Sequence, residues 1–401
     1  MAYVPAALVL AGIAAYAVLA GADFGAGLWM LLAAGPDAPA TRNQARHAMG
    51  PVWEANHVWL IFVLVVTWTA YPVVFGSIAS TLAIPLTAAA VGIIFRGAAY
   101  ALRGQGSSRA AETVLALSSV LTPFALGTVV GAIATGRVPI GNAAGNVVTS
   151  WLNLPSVLVG VLAVAFCGYL AAVYLAANSR RGEGTAGKLT RSFRRRALAA
   201  GALSGALALA GLIVMRNSGL RLTSGLALAM VCVSAAAGIA TLVLCWASRY
   251  ELARLSAALA VVAVVAGWAA AQAPRMLPGI TVTQAAAGRT TLIALVIAVA
   301  CGAVVLVPSL ALLFTFYLRG RLDAPDTGVT AATLDGQETR VPQRPSAPAG
   351  PRPPRVTATA AIAGLIAGAA LLVLASAAWA QALGVACLVL CAVAAFRLAT
   401  R

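Results

Sequence analysis

Charged residues are scarce in this sequence, and histidines are almost absent. Only 9% of its 401 residues are charged, the acidic ones number 10, and there are 2 histidines. Neither His47 nor His57 lies deep in an apolar segment, so the chain cannot supply two histidine ligands to a haem inside a membrane. It also has no P-loop and no GxGxxG motif that opens a helix after a strand. These absences argue against an ATPase and against a chain that is a redox enzyme by itself.

The cysteines give no sign of a metal site. All six lie in apolar segments, and no CxxC motif or cysteine and histidine cluster has metal-site spacing. Cys387 and Cys391 are four residues apart on one helix face, which is more typical of two small packing residues than of a ligand pair. Glu54 and His57 have the E-x-x-H spacing of di-iron helix bundles, but those bundles need a second such motif, which the sequence lacks. No metal site is predicted.

Long apolar segments dominate what is present. Apolar residues make up 61% of the chain and its mean hydropathy is +0.94, which indicates a membrane protein that crosses the bilayer many times. A helix needs roughly 20 apolar residues to span the hydrocarbon core. The pattern therefore predicts an all-α polytopic membrane protein. Eleven spans are predicted, at about 5–32, 51–73, 76–100, 112–136, 153–178, 196–215, 224–247, 254–272, 290–318, 357–377 and 379–398.

Positive charge is distributed unevenly among the loops between these spans. Of the 27 lysines and arginines, 20 lie in loops that follow odd-numbered spans and 5 in loops that follow even-numbered spans. The positive-inside rule therefore predicts an external N-terminus, cytoplasmic odd loops and, for eleven spans, a cytoplasmic C-terminus. The net charge of +17 is then a topology signal with contacts to anionic lipid, and no nucleic-acid partner is predicted. The first span has no basic n-region and is expected to be a mature helix.

Composition divides the chain into three predicted domains. Residues 1–320 hold nine spans and form a transmembrane body. Residues 321–356 are rich in proline and poor in apolar residues, which predicts a disordered cytoplasmic linker. Residues 357–401 hold the last two spans and are predicted to form a C-terminal transmembrane hairpin with a turn near Trp379 to Gln381.

Two of the few acidic residues lie where a charge is costly. Asp23 has apolar neighbours on both sides in GADFGAGLWM, where a carboxylate costs roughly 2.5–3.5 kcal/mol on insertion scales. It should therefore face the protein interior or a water-filled path, either with a functional role or with a structural hydrogen bond to another helix. Glu54 stands at the predicted cytoplasmic start of span 2, in GPVWEANHVWL.

Polar and aromatic residues surround Glu54. His57 lies three residues on, so it shares a helix face with Glu54 nearly one turn deeper. Its imidazole either bonds a neighbouring residue at the interface or passes protons, and both alternatives remain open. Asn56 needs hydrogen-bond partners if it is buried, and Trp53 and Trp59 suit the aromatic belt of a membrane interface.

Two arginines close the third span, in FRGAAYALRG. Arg96 and Arg103 are seven residues apart and share a helix face. Arg96 lies about one turn inside the helix end, at the predicted depth of Glu54. It is expected either to pair with Glu54 or to extend to the lipid headgroups.

Taken in order, these segments resemble subunit II of the cytochrome bd quinol oxidases. The resemblance covers about residues 1–320 and excludes the predicted hairpin after residue 356. Its motifs are specific as a combination. They are GADFGAGLWML in span 1, GPVWEANHVWL and WTAYPVVFGSIASTLAIPL around span 2, IIFRGAAYALRG closing span 3, and AQAPRMLPGITVTQAAAGRTTL before LVPSLALLFTFYL in span 9.

The resemblance implies two four-helix bundles plus one helix, paired as a heterodimer with subunit I in the bacterial cytoplasmic membrane. In that family subunit I carries haems b and d and the site for quinol, and the complex reduces oxygen to water with cytoplasmic protons. None of the haems would be ligated by this chain. Glu54 matches the acidic position of the family's W-(D/E)-x-N motif for proton uptake, with Trp53 and Asn56, and Asp23 matches the acidic position in span 1.

The sequence departs from the family pattern at three positions. Ala20 stands where many members have a further aspartate, Ala55 replaces a glycine, and His57 stands where glutamate or glutamine is frequent. The leading hypothesis is a partner chain with a proton path through Asp23, Glu54 and His57. The alternatives are a stand-alone proton-coupled transporter, although no second copy of GADFG or WEANH suggests an inverted repeat, and a purely structural scaffold.

Overall fold

The structure is a computed structural model that describes residues 1–49, 53–101, 109–179, 186–215 and 220–318. The chain divides into two units, Met1–Asp326 and Thr327–Arg401, and every described residue lies in the first unit. The predicted linker and hairpin lie outside the described residues, so the three-domain division stays a prediction.

The described part of the chain is almost entirely helical, which confirms the all-α polytopic prediction. One short antiparallel ribbon interrupts the helices and pairs Arg275 with Thr281 and Leu277 with Ile280. The elements, in chain order, are α1 (Tyr3–Leu31), α2 (Ala38–Met49), α3 (Trp53–Ala70), α4 (Pro72–Thr81), α5 (Ala83–Ala101), α6 (Arg109–Ala134), α7 (Leu154–Asn178), α8 (Ala186–Val214), α9 (Gly225–Trp246), α10 (Tyr250–Gln272), β1 (Arg275–Leu277), β2 (Ile280–Thr281), α11 (Val282–Ala285) and α12 (Arg289–Leu318).

Seven described helices are long and apolar enough to cross a membrane by themselves, namely α1, α6, α7, α8, α9, α10 and α12. The other two predicted spans of the body correspond to the shorter α3 and to the bent pair α4 and α5. Nine apolar segments therefore occupy the positions that hydropathy predicts for the body.

Spans 2 and 3 differ from the prediction of two simple helices. The chain breaks at Tyr71 and again at Leu82, and α4 and α5 meet at an angle of 84°. Pro72 explains the first break, because its ring disfavours the helical conformation of the preceding residue. Tyr71 accordingly adopts φ −137° and ψ 62°. The short α4 between them covers the end of the body that the positive-inside rule predicts to be external.

A second helix absent from the prediction is α2, which follows α1 in a segment expected to be a loop. Arg42 of α2 turns back to α1, where its Nη2 donates to the carbonyl of Ala33 at 3.1 Å. Such bonds satisfy carbonyl groups that the end of a helix leaves without a partner. The contact fixes α2 at the end of the body that is predicted to be cytoplasmic.

The helices associate in two groups. In the first group α1 packs against α3 and α6, and α6 packs against α5; in the second, α7, α8, α9 and α10 contact one another in sequence, and α10 returns to α7. Contacts of α1 and α6 with α7 join the groups, while α12 lies against α3 and α1. The division into two four-helix bundles plus one helix stays a prediction, because α7 packs on α1 and α6 as extensively as these helices pack within their own group.

Glycine lets α1 approach α7 closely. A Cβ atom on Gly25 would lie 1.8 Å from the carbonyl oxygen of Cys167, and one on Gly21 would touch Leu170 at 3.4 Å. Small residues four apart are a common way for membrane helices to bring their backbones together. The GADFG motif therefore packs α1 on α7 while Asp23, between the two glycines in sequence, is turned to other partners.

Candidate functional site

Two opposite charges meet inside the first helix group. Asp23 of α1 is 5% exposed and Arg96 of α5 is 0% exposed. Arg96 Nη2 lies 2.8 Å from Asp23 Oδ1 and also donates to the backbone carbonyl of Asp23 at 3.0 Å. Burial of either charge alone would be costly, and the ion pair offsets part of that cost. Asp23 therefore faces the protein interior, one of the two surroundings that the sequence predicted.

Arg96 has a further set of partners around its guanidinium. Its Nη1 donates to Ser119 Oγ of α6, and Ser119 Oγ in turn donates to the carbonyl of Leu115 at 2.6 Å. The guanidinium carbon lies 4.9 Å from the centre of the Phe24 ring. A cation over an aromatic face is stabilised by the ring quadrupole. Arg96 thus connects α5 with α1 and α6.

These contacts correct both expectations for Arg96. The described ion pairs join Arg96 to Asp23 and Arg254 to Glu251, and Glu54 belongs to neither. Arg96 also does not extend to the lipid headgroups, because its side chain is fully buried. Two residues at similar depth on neighbouring helices meet only if both lie on the helix faces that point toward each other. Hydropathy predicts the depth of a residue but not the face on which it lies.

A glycine makes room for this cluster. A Cβ atom on Gly27 would stand 2.0 Å from Ser119 Oγ and 3.3 Å from Arg96 Nη1. Since no side chain fits in that space, Gly27 permits Ser119 to reach the arginine. The GADFGAG segment therefore supplies both the buried acid and the gap beside it.

A second pair of polar groups lies beside the first. His57 of α3 is 9% exposed, and its Nδ1 is 3.3 Å from the hydroxyl oxygen of Tyr16 on α1. The imidazole ring is 5.9 Å from both the Tyr16 ring and the Phe24 ring, measured between centroids. Phe24 therefore contacts both the histidine and Arg96, which makes the two polar pairs neighbours in the interior.

The start of α3 contains one buried and one exposed polar residue. Asn56 is 3% exposed, and its Nδ2 donates to the carbonyl of Leu19 at 3.4 Å. Glu54 is exposed in the first turn of α3. Trp53 begins the helix, but its side chain lies outside the described part, as does Arg103. Asn56 and His57 thus join α3 to α1 while Glu54 faces away from the buried cluster.

The described residues do not fit a haem or metal site. No group of three or more histidine, cysteine, aspartate or glutamate side chains gathers among them. His57 is the one histidine whose side chain is described, and the rings of Tyr16 and Phe24 on α1 lie close to it.

Sequence reasoning missed two members of the cluster. Tyr16 precedes Asp23 by seven residues, which places both on one face of α1. That spacing is a usable signal. Ser119 lies in an apolar span beside Ser118, and only the packing of α6 against α5 shows which serine meets Arg96. The outcome is a buried set of groups that donate and accept hydrogen bonds.

Comparison with known proteins gives a consistent family match. A family model described as cytochrome bd terminal oxidase subunit II matches residues 1–317. The protein named cytochrome bd ubiquinol oxidase subunit 2 in Bacillus subtilis (strain 168) is 28% identical over 128 residues. That alignment covers 30% of this chain and 37% of the relative, so it spans little more than a third of the relative's length.

A solved structure shares the fold. A chain in the structure of bd oxidase from Geobacillus thermodenitrificans aligns with a TM-score of 0.62 at 22% identity. The alignment covers 79% of this chain and 98% of the other. The likeness therefore extends over nearly the whole of that chain.

Proposed function

The chain belongs to the cytochrome bd terminal oxidase subunit II family, and on that premise we propose that it is the second subunit of a quinol oxidase that reduces oxygen to water. Its partner is subunit I, which carries haems b and d and receives quinol. This chain ligates no haem. It supports the haem-bearing subunit and supplies part of the route by which cytoplasmic protons reach the oxygen site.

The buried ion pair of Asp23 and Arg96 carries the proton-path proposal. A membrane protein rarely retains a charge in a span without a use for it, and chains of such residues form proton relays. Here the negative charge of Asp23 is held inside by Arg96 Nη2 at 2.8 Å. In the proposed path Asp23 is the buried acidic group, and Arg96 neutralises its charge while the carboxylate is ionised.

Glu54 and His57 complete the proposed path. Glu54 is exposed and takes up protons at the helix start. His57 accepts a proton at one ring nitrogen and releases one at the other, and Tyr16 Oη stands 3.3 Å from its Nδ1 to continue the transfer. Arg96 acts on Asp23 in this scheme instead of on Glu54.

The proposed orientation follows from the charge asymmetry of the loops. It puts the N-terminus outside, the C-terminus inside and the first turn of α3 at the cytoplasmic surface of the bacterial inner membrane. A carboxylate at that position meets cytoplasmic protons. The opposite orientation would leave Glu54 unable to serve as the entrance.

Coexpression tests the assignment as a subunit. The full chain is expressed with a haem-bearing subunit I and also alone, and haem spectra and quinol-dependent oxygen uptake are recorded. We expect both signals only from the pair. Oxidase activity from the chain alone, or failure of the two chains to associate, would refute the assignment.

Charge removal at the entrance tests the proton path. Glu54→Gln should slow oxygen uptake by about tenfold or more, because an amide cannot take up and release the proton. Haem content should stay unchanged, since Glu54 is exposed. Glu251→Gln is a matched control, because Glu251 is likewise an exposed carboxylate in the first turn of a helix. Full activity in Glu54→Gln would favour the scaffold hypothesis.

A further inference from the structure

The first part of α8 carries a dense basic segment just before its apolar run. Lys188, Arg191, Arg194, Arg195 and Arg196 precede nineteen uncharged residues, 197–215. A helix of 29 residues is about 43 Å long, more than the roughly 30 Å hydrocarbon core requires. Arg196 is therefore the residue of this basic segment closest to the apolar run, and in the predicted orientation it lies at headgroup depth.

Arg196 is held between two aromatic rings. Its guanidinium carbon lies 5.3 Å from the ring centre of Trp29 on α1 and 5.1 Å from that of Phe193 on its own helix. Trp29 is itself fixed, because its Nε1 donates to the carbonyl of Gly168 on α7 at 2.8 Å. Phe193 is 0% exposed. Three helices thus form a rigid support for one guanidinium.

One hydrogen-bond donor of the same guanidinium lacks a partner. Arg196 Nη1 is buried and bonds no atom in the described part of the chain. Asp37 acts on Arg196 electrostatically, but the described ion pairs do not include these two residues. A buried donor without an acceptor destabilises the folded state. A cation that is preorganised by stacking but lacks an acceptor is suited to an anionic ligand.

We propose that Arg196 binds the phosphate of an anionic phospholipid at the cytoplasmic surface. Arginine presents its donors in a planar fork that fits phosphate oxygens, and aromatic stacking leaves that fork free to bind. The exposed Arg191, one turn earlier on α8, adds attraction to an anionic surface. Arg196 as a whole is partly exposed, which leaves part of its side chain open to a lipid phosphate beside the junction of α1, α7 and α8.

The position favours a lipid over a soluble ion or an acidic segment of another protein. The apolar run begins at residue 197, directly after Arg196, so acyl chains would lie against α8 when the phosphate reaches the guanidinium. Leu203, seven residues after Arg196 and so on the same face of α8, is 55% exposed and supplies an apolar surface for them. Inorganic phosphate would use the guanidinium but none of that surface.

The test uses the full chain with any subunit that copurifies with it, delipidated in detergent. Phosphatidylglycerol, phosphatidylcholine or inorganic phosphate is titrated, and the shift in unfolding temperature and the retained lipid by native mass spectrometry are measured. Arg196→Gln is compared with Arg195→Gln, which removes an adjacent but exposed charge. Arg196→Lys keeps the positive charge but removes the planar guanidinium. It replaces Arg196→Gln in the comparison if that variant does not fold.

We expect phosphatidylglycerol to stabilise the wild type and Arg195→Gln at similar concentrations. Arg196→Gln should need about five- to tenfold more of this lipid for half of the shift, and Arg196→Lys should fall between. If Arg196→Gln and Arg195→Gln need the same concentration of phosphatidylglycerol for half of the shift, Arg196 is not the binding site. An equal shift from phosphatidylcholine would overturn its anionic character, and an equal shift from inorganic phosphate would overturn the lipid as ligand.

Discussion

Arg96 shows at the scale of a residue how a full charge is retained inside a membrane protein. Three kinds of partner surround it: the Asp23 carboxylate, the Ser119 hydroxyl and the Phe24 ring. Each replaces some of the hydration that the guanidinium loses on burial. Loss of one charged partner leaves the other charge buried and uncompensated, which costs about 3–5 kcal/mol in a typical protein.

Removal of either charge should therefore destabilise the fold. Asp23→Asn and Arg96→Leu are each expected to lower the free energy of unfolding by about 3–5 kcal/mol. The double variant should lose less than the sum, because it leaves no unpaired charge. Thermal or denaturant unfolding in detergent measures all three. Additive losses would mean that the two side chains do not interact.

The space beside Gly27 gives a second prediction at this scale. Gly27→Ala should destabilise the protein by about 1–3 kcal/mol, because the new methyl group would stand 2.0 Å from Ser119 Oγ. Gly205→Ala is the control, since a Cβ there meets nothing within 4 Å on another helix. Equal unfolding temperatures for the two variants would contradict the close approach.

At the scale of elements, the break between α3 and α5 determines how one end of the body is covered. The short α4 makes an angle of 84° with α5. Two of its serines contact the loop between α6 and α7. Ser77 Oγ accepts from the amide of Gly141 at 2.9 Å, and Ser80 Oγ accepts from that of Ala143 at 2.8 Å. These bonds hold the loop between α6 and α7 on α4.

The double variant Ser77→Ala and Ser80→Ala should loosen that loop without disturbing the body. Each lost hydrogen bond is worth about 0.5–1.5 kcal/mol, so local opening should become several-fold more frequent. The rate of trypsin cleavage after the exposed Arg137 measures how often the loop opens. Ser309→Ala is the control, because Ser309 bonds only a carbonyl of its own helix among the described residues. Unchanged cleavage would show that these bonds do not hold the loop.

At the scale of the whole molecule, the family match ends at residue 317, close to the predicted end of the nine-span body at 320. The two units of the chain divide nearby, after Asp326. The second unit should thus be an addition to the body that assembly with a partner does not require.

A chain that ends at residue 320 tests this division. It is expected to insert, to copurify with subunit I and to keep the unfolding temperature of the full chain within about 2 °C, because helices α1 to α12 supply their own core. The full-length chain, purified in parallel, is the control. Loss of insertion or of the partner would assign residues 321–401 to the body.

The sequence alone predicted the membrane class, the nine spans of the body and the presence of Asp23 in an apolar span. These follow from hydropathy, which depends only on local composition, and the glycine pattern around Asp23 made the family resemblance specific. Asn56 and His57, which the sequence named without predicting their burial, are buried and contact α1. The proton path itself remains a proposal.

Only the tertiary structure decided which charges meet. Hydropathy gives the depth of a residue along its helix, and at that level Glu54 and Arg96 were suitable partners. The rotation of a helix about its axis depends on how side chains pack across three or more helices, and one sequence does not state it. Packing through Gly25 and Gly27 turned Asp23 toward Arg96, left Glu54 exposed, and brought Tyr16 to His57.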